Sequence, residues 1–170
     1  MAVTELVPVK EYMATTYEPD REYVEGRLVE RHVGERDHSL LQYQIAKLLD
    51  QRGLIPFTEL RVQVAAQRFR IPDVAAEREM PETRFLRTPP LIAVEILSRE
   101  DRAGEIADKI DDYLAFGIPN IWLVDPRRRH VMVYSSAGAR LCTGEVATTD
   151  GTVVIPLKEI FGRLPAAAKE

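Results

Sequence analysis

The chain has 170 residues, 45% of them apolar and 29% charged, with a formal net charge of −4. That length suits one domain, residues 1–170, with a sizeable core. No apolar run approaches the roughly 18 residues of a membrane span, and the single cysteine, Cys142, excludes an intramolecular disulfide and a thiolate zinc cluster.

Met1 to Lys10 lacks the basic start and apolar centre of a signal peptide, so the expected location is cytoplasmic, with no membrane partner. A short helix is expected from Val9 to Thr15 with Pro8 in its first turn, then a turn at Pro19-Asp20. Residues 21–32 read as a hairpin turning at Glu25-Gly26. Asp37 is placed to cap a helix running to about Arg52, with Leu41, Ile45, Leu48 and Leu49 on one face and Gly53 ending it. Strands follow near 58–65 and 69–76, and the charged, proline-bearing stretch 77–90 reads as a loop. Leu91 to Leu97 is a nearly continuous apolar run, which fits a strand buried on both faces.

Ser98-Arg99-Glu100-Asp101 has the form of a capping box. The helix after it would turn Ile106, Ile110, Tyr113 and Leu114 inward and stop at Gly117, before Pro119. Asn120 to Val124 is another apolar strand, and Arg127-Arg128-Arg129 marks a turn into Val131–Tyr134, either solvated or gripping phosphate. Weaker strands near 140–146 and 152–155 precede a short helix at Leu157–Phe161. Strand, helix and strand over 91–124 make a right-handed crossover, whereas the shortly linked earlier strands should be antiparallel. The expected fold is α/β (α+β), a mixed β-sheet flanked by helices.

Two acids interrupt the strand-like runs. Asp73 stands in Ile71-Pro72-Asp73-Val74 and Glu95 in Ala93-Val94-Glu95-Ile96-Leu97. A carboxylate in a buried strand is costly unless paired or bound to a metal. One reading pairs them with arginines such as Arg61 or Arg70. The other places both on one divalent cation, with the Ile96 backbone carbonyl as a third oxygen. The histidines His32, His38 and His130 are scattered, so hard oxygen ligands favour Mg2+ or Mn2+ over zinc. Two such acids point to a metal-dependent phosphodiesterase, in which the cation activates a water and stabilises charge on the phosphoryl oxygens.

The ordered set of segments resembles the Uma-type putative restriction endonuclease family, within the PD-(D/E)xK nuclease superfamily. The matching segments are Glu22-Tyr23-Val24-Glu25-Gly26, Ile71-Pro72-Asp73-Val74, Leu91 through Ser98, Lys109-Ile110-Asp111-Asp112-Tyr113, Gly117-Ile118-Pro119, Ile121-Trp122-Leu123-Val124-Asp125-Pro126, and Ile155-Pro156-Leu157 through Phe161. The resemblance covers roughly residues 8–162 and implies a restriction-endonuclease-like core, DNA as substrate and a magnesium-dependent site. The chain departs from the superfamily pattern at Leu97, where lysine is usual. Lys109, in the family's Lys-x-x-x-Tyr spacing with Tyr113, is the substitute; its bland alternative is a solvated lysine paired with Glu105.

The expected catalytic residues are therefore Asp73, Glu95 and Lys109. Glu22 matches the family's early glutamate, and His38 could contact phosphate or act as a base. Ser98 with His38 as nucleophile and base is disfavoured by the serine's capping position. The leading expectation is a Mg2+-dependent DNA endonuclease. The acidic total and the missing strand lysine motivate the alternative, a catalytically inactive nucleic-acid or protein-binding module. Apolar tail strands that could pair across a two-fold axis raise a third reading, a homodimeric interaction protein.

Overall fold

The computed structural model describes residues 6–31 and 35–165. His32 and Met1 to Glu5 lie outside the described residues.

Helix α1 (Val9–Ala14) follows Pro8, which stands just before the helix as its cap. The hairpin β1 (Arg21–Val24) and β2 (Arg27–Glu30) turns at Glu25 and Gly26, both at positive φ, 49° and 88°. Helix α2 (Arg36–Asp50) begins one residue before Asp37, whose carboxylate accepts from Arg36 Nε and, among the described residues, caps no backbone N–H. Leu41, Ile45, Leu48 and Leu49 are all at most 4% exposed, each worth about 1.5–3 kcal/mol of transfer free energy.

Where two strands are expected, near 58–65 and 69–76, four occupy residues 55–77: β3 (Ile55–Thr58), which ends where the first expected run begins, β4 (Val62–Ala65), β5 (Arg68–Arg70) and β6 (Val74–Glu77). Ile71-Pro72-Asp73 breaks the second run because proline has no N–H to give a ladder, and there the chain changes sheets. Strand β7 (Ile92–Ile96) is buried along its whole length. Helix α3 (Ala103–Phe116) starts later than the capping box implies. Asp101 Oδ2 does reach back to the Ser98 N–H, at 2.6 Å, but this closes a turn ahead of the helix. Strands β8 (Asn120–Asp125), β9 (His130–Ser135), β10 (Gly138–Leu141), β11 (Glu145–Ala147) and β12 (Val154–Pro156) lead to helix α4 (Leu157–Phe161).

These strands form three sheets, in place of the one expected from sequence. A six-stranded sheet has the order β10-β9-β8-β7-β6-β3 and a four-stranded sheet the order β2-β1-β5-β4. The tail strands β11 and β12 pair with each other and bury Val146 and Ile155. In the six-stranded sheet β7 and β8 run parallel, joined by α3, while the other pairs are antiparallel.

The period of two along each strand decides what faces what. From β7, Ile92, Val94 and Ile96 join the core under α2 and α4, with Trp122 and Val124 of β8. Ala93 faces the other way, toward Ile110 and Tyr113 of α3 and Val62 and Val64 of β4. In the smaller sheet Tyr23 and Phe69 are register partners and pack on Tyr12 of α1. Their strand neighbours Glu22 and Arg70 therefore point away from α1. No described helix is long and apolar enough to cross a membrane.

Candidate active site

Strand β6 pairs with β7 through Val74–Val94 and Ala75–Ala93. Continuing that register by one residue sets Asp73 across from Glu95, at the end of the sheet. Both are buried, at 4% and 3% exposure. Glu95 follows Ala93 on the α3 side of β7, where α3 supplies its partners. Tyr113 donates its hydroxyl to Glu95 Oε1 at 2.6 Å, and the Lys109 ammonium donates to Glu95 Oε2 at 3.1 Å. One helical turn separates Lys109 from Tyr113, so both reach the same carboxylate.

The smaller sheet closes the site from the other side. Glu22 Oε1 lies 3.1 Å from Lys109 Nζ and accepts the Ile71 N–H, while Oε2 accepts from Arg70 Nη1 at 2.9 Å. Arg70 Nε in turn donates to Asp112 of α3 at 2.7 Å, and Arg68 donates to the other oxygen of Asp112 at 2.6 Å. Lys109 thus bridges an acid of each sheet; it is neither solvated nor left to Glu105.

Asp73 is held differently. Its Oδ2 accepts the Ile96 N–H at 2.7 Å and lies 3.1 Å from His38 Nε2, in the first turn of α2. Its Oδ1 accepts from Arg31 Nη2 at 3.0 Å. The anticipated arginine partners are engaged elsewhere. Arg70 serves Glu22 and Asp112, and Arg61 pairs with Asp20 while stacking 4.3 Å over the Tyr12 ring.

Burial and like charge set the electrostatics. Burial pushes the Glu95 carboxyl up to about 7; Lys109 and the Tyr113 hydrogen bond oppose this, and the charges of Asp73 and Glu22 add to it. Burial also raises Asp73, but the hydrogen bond and charge of His38, the Ile96 N–H and Arg31 outweigh it and hold the carboxyl below its ordinary value. Burial works against the Lys109 ammonium, yet Glu95, Glu22 and Asp73 raise it above the usual lysine range. His38 is likewise raised, by Asp73 against the effect of burial.

All five residues anticipated from sequence, Glu22, His38, Asp73, Glu95 and Lys109, line one cavity of about 300 Å3 together with Arg31, Arg70 and Ser98. The hard oxygens of Asp73 and Glu95 are the right donor type for Mg2+ or Mn2+. The mutual repulsion of the acids is what a dication relieves. Among the described residues no three His, Cys, Asp or Glu side chains form a ready metal cluster. The donor set therefore fits an ion that also takes backbone and water oxygens, with the Ile96 carbonyl as the nearby protein candidate. Arg31 and Asp112 escape notice in the sequence because a charge after a hairpin strand, or on a helix already rich in charge, looks like solvated surface; Arg70 is named there, but as a partner of Asp73 or Glu95 and not of Glu22 and Asp112. The Ser98 Oγ, buried with no hydrogen-bond partner among the described residues, is also legible only in three dimensions. The Arg127–Arg129 turn is exposed, its first two N–H groups donating to Asp125 Oδ1 at 2.9 and 3.0 Å.

The family described as "Uma2: Putative restriction endonuclease" matches residues 9–165. The fold is similar to the crystal structure of a putative nuclease belonging to DUF820 from Anabaena variabilis ATCC 29413. The TM-score is 0.76 and the identity 22%, covering 92% of this chain and 98% of that chain. At that identity the likeness speaks for the fold. No curated protein matches the sequence.

Proposed function

The chain belongs to the Uma2 family of putative restriction endonucleases, and from that premise we propose that it is a divalent-metal-dependent DNA endonuclease. The observation that carries this reading is the placing of Asp73 opposite Glu95, with the Lys109 ammonium 3.1 Å from Glu95, all three lining one cavity.

On this reading Asp73, Glu95 and the Ile96 backbone carbonyl hold Mg2+ or Mn2+. When bound, such an ion supplies Lewis acidity and a nucleophile at neutral pH. The protein supplies orientation. Tyr113 fixes Glu95 from one side, and the Ile96 N–H with His38 fixes Asp73 from the other. Lys109 brings from α3 the ammonium that Leu97 cannot bring from β7, and Glu22 holds it by a second contact. Its charge is suited to a phosphoryl oxygen of the scissile diester. Hydrolysis forms one P–O bond to the attacking water oxygen and breaks another, and the leaving alcohol takes up a proton.

Supercoiled plasmid with Mg2+ or Mn2+ tests the proposal. The wild-type chain is expected to cut it and EDTA to stop the cutting. Asp73→Ala is expected to lose about a thousandfold in rate, the equivalent of about 4 kcal/mol in the barrier. Equal cleavage by both proteins would refute the assignment. The second reading, an inactive nucleic-acid-binding module, is favoured by the way Arg31, His38 and Lys109 already engage the acids. It predicts DNA binding that EDTA leaves unchanged, with no product.

A further inference from the structure

The two oxygens of Asp73 are unequally engaged. Oδ2 is committed to the Ile96 N–H and to His38, at 2.7 and 3.1 Å. Oδ1, among the described residues, faces only the Arg31 guanidinium, at 3.0 Å. A cation from solution and Arg31 would therefore seek the same oxygen.

Arg31 also has a second carboxylate within reach. Its Nη1 lies 3.5 Å from Glu59 Oε2, and the Glu59 side chain is half exposed. Glu59 is kept beside Asp73 by the backbone. Its N–H donates to the Asp73 carbonyl at 3.3 Å, and the Gln42 amide spans the Asp73 carbonyl and Glu59 Oε1, at 3.0 and 3.3 Å. Arg31 thus stands between an inner acid facing the cavity and an outer acid facing water. Lys109 has no such freedom, being held between two buried acids, Glu22 and Glu95.

Resting on the metal reading of the site, we infer that Arg31 is a built-in counter-ion of Asp73. It competes with the divalent cation for Oδ1 and withdraws toward Glu59 when that cation binds. Without an ion, Arg31 supplies a permanent positive charge to a buried carboxylate whose other oxygen is held by the Ile96 N–H and His38. With an ion bound, its positive charge would oppose the dication across a short distance in a poorly solvated cavity. Arg31 is a positioning residue on this account, and it sets metal affinity.

The sign of the effect separates this role from a merely structural one. Loosening the site weakens metal binding, whereas removing a competing cation strengthens it. The test is a titration of the full chain with Mn2+ alone, without DNA, for wild type, Arg31→Ala, Arg31→Lys and Glu59→Gln. Arg31→Ala is expected to bind Mn2+ about tenfold tighter, and Arg31→Lys to stay near wild type. Glu59→Gln removes the outer acid, leaves Arg31 to Asp73 alone, and is expected to bind about threefold more weakly. A folded Arg31→Ala protein with unchanged or weaker affinity overturns the inference. Should that variant not fold, Glu59→Gln decides: unchanged or tighter binding overturns it. A wild type that binds Mn2+ and cuts plasmid while Arg31→Ala binds no tighter would fail only the counter-ion role. A wild type that binds no Mn2+ fails the metal reading, and this inference with it.

Discussion

Glu95 is a carboxylate clamped between a phenol and an ammonium, and each partner does a different job. Lys109 offsets its charge. Tyr113, fully buried, donates one short hydrogen bond of 2.6 Å to the oxygen turned away from Lys109. Replacing Tyr113 by phenylalanine keeps the ring and its packing but leaves that buried oxygen without its donor. Tyr113→Phe is expected to lower stability by about 1–3 kcal/mol, read as a fall in the urea midpoint with an unchanged slope. An unchanged midpoint would mean that Glu95 finds another donor. At this scale the sequence reveals the acids more readily than their partners. Asp73 and Glu95 stand out because they break apolar runs, and Lys109 and Tyr113 because of their spacing. Arg31 carries no such mark, since it follows a mostly exposed hairpin strand that already bears Arg27 and Glu30.

Among the elements, the β7–α3–β8 crossover does most to build the site, because it carries Glu95, Lys109 and Tyr113. Its helix ends at Gly117, at φ 95°, where the glycine N–H reaches the carbonyls of Tyr113 and Leu114 and Ile118 turns back into the core. A Cβ at Gly117 would meet Pro89 Cγ at an ordinary 3.7 Å, so backbone strain alone sets the cost. Gly117→Ala is expected to destabilise by about 1 kcal/mol in a thermal or urea melt, with little effect on cleavage. A loss above about 3 kcal/mol would show that the turn tolerates no Cβ for steric reasons. This crossover is legible in the sequence because two nearly continuous apolar runs flank a segment of helical period, and Gly117 and Pro119 punctuate them. The division into separate sheets is not. Which strand takes β5 as its neighbour depends on contacts with β1, far away in the chain, and local pattern carries no record of that choice. The site lies across that division, so the way Glu22 and Arg70 meet Lys109 and Asp112 from the other sheet is the part hardest to foresee, although both residues are visible in the sequence.

For the whole molecule, the two larger sheets meet around α3, and charge as well as apolar packing joins them. Asp112 of α3 holds Arg68 and Arg70 of β5, and Arg70 holds Glu22 of β1. The apolar part of that junction is Val62 and Val64 of β4 against Ile110 and Tyr113. The hairpin β1–β2 is attached less broadly. Its ladder to β5 consists of the pairs Tyr23–Phe69 and Val24–Arg68, reinforced by the Tyr12, Tyr23 and Phe69 rings. Strand β7, by contrast, is laddered on both sides, to β6 and to β8. A two-stranded hairpin has little stability of its own. It is therefore expected to open as a separate unit, below the free energy of global unfolding. Amide hydrogen exchange would show it: β1 and β2 losing protection well before β7 and β8, with equal protection in both counting against it. Glu22 lies on that hairpin and Arg31 immediately after it. Each such opening removes the acid that steadies Lys109 and the base that covers Asp73, while the six-stranded sheet stays intact. The readiness of the site is thus a population, governed by how often a short ladder lets go.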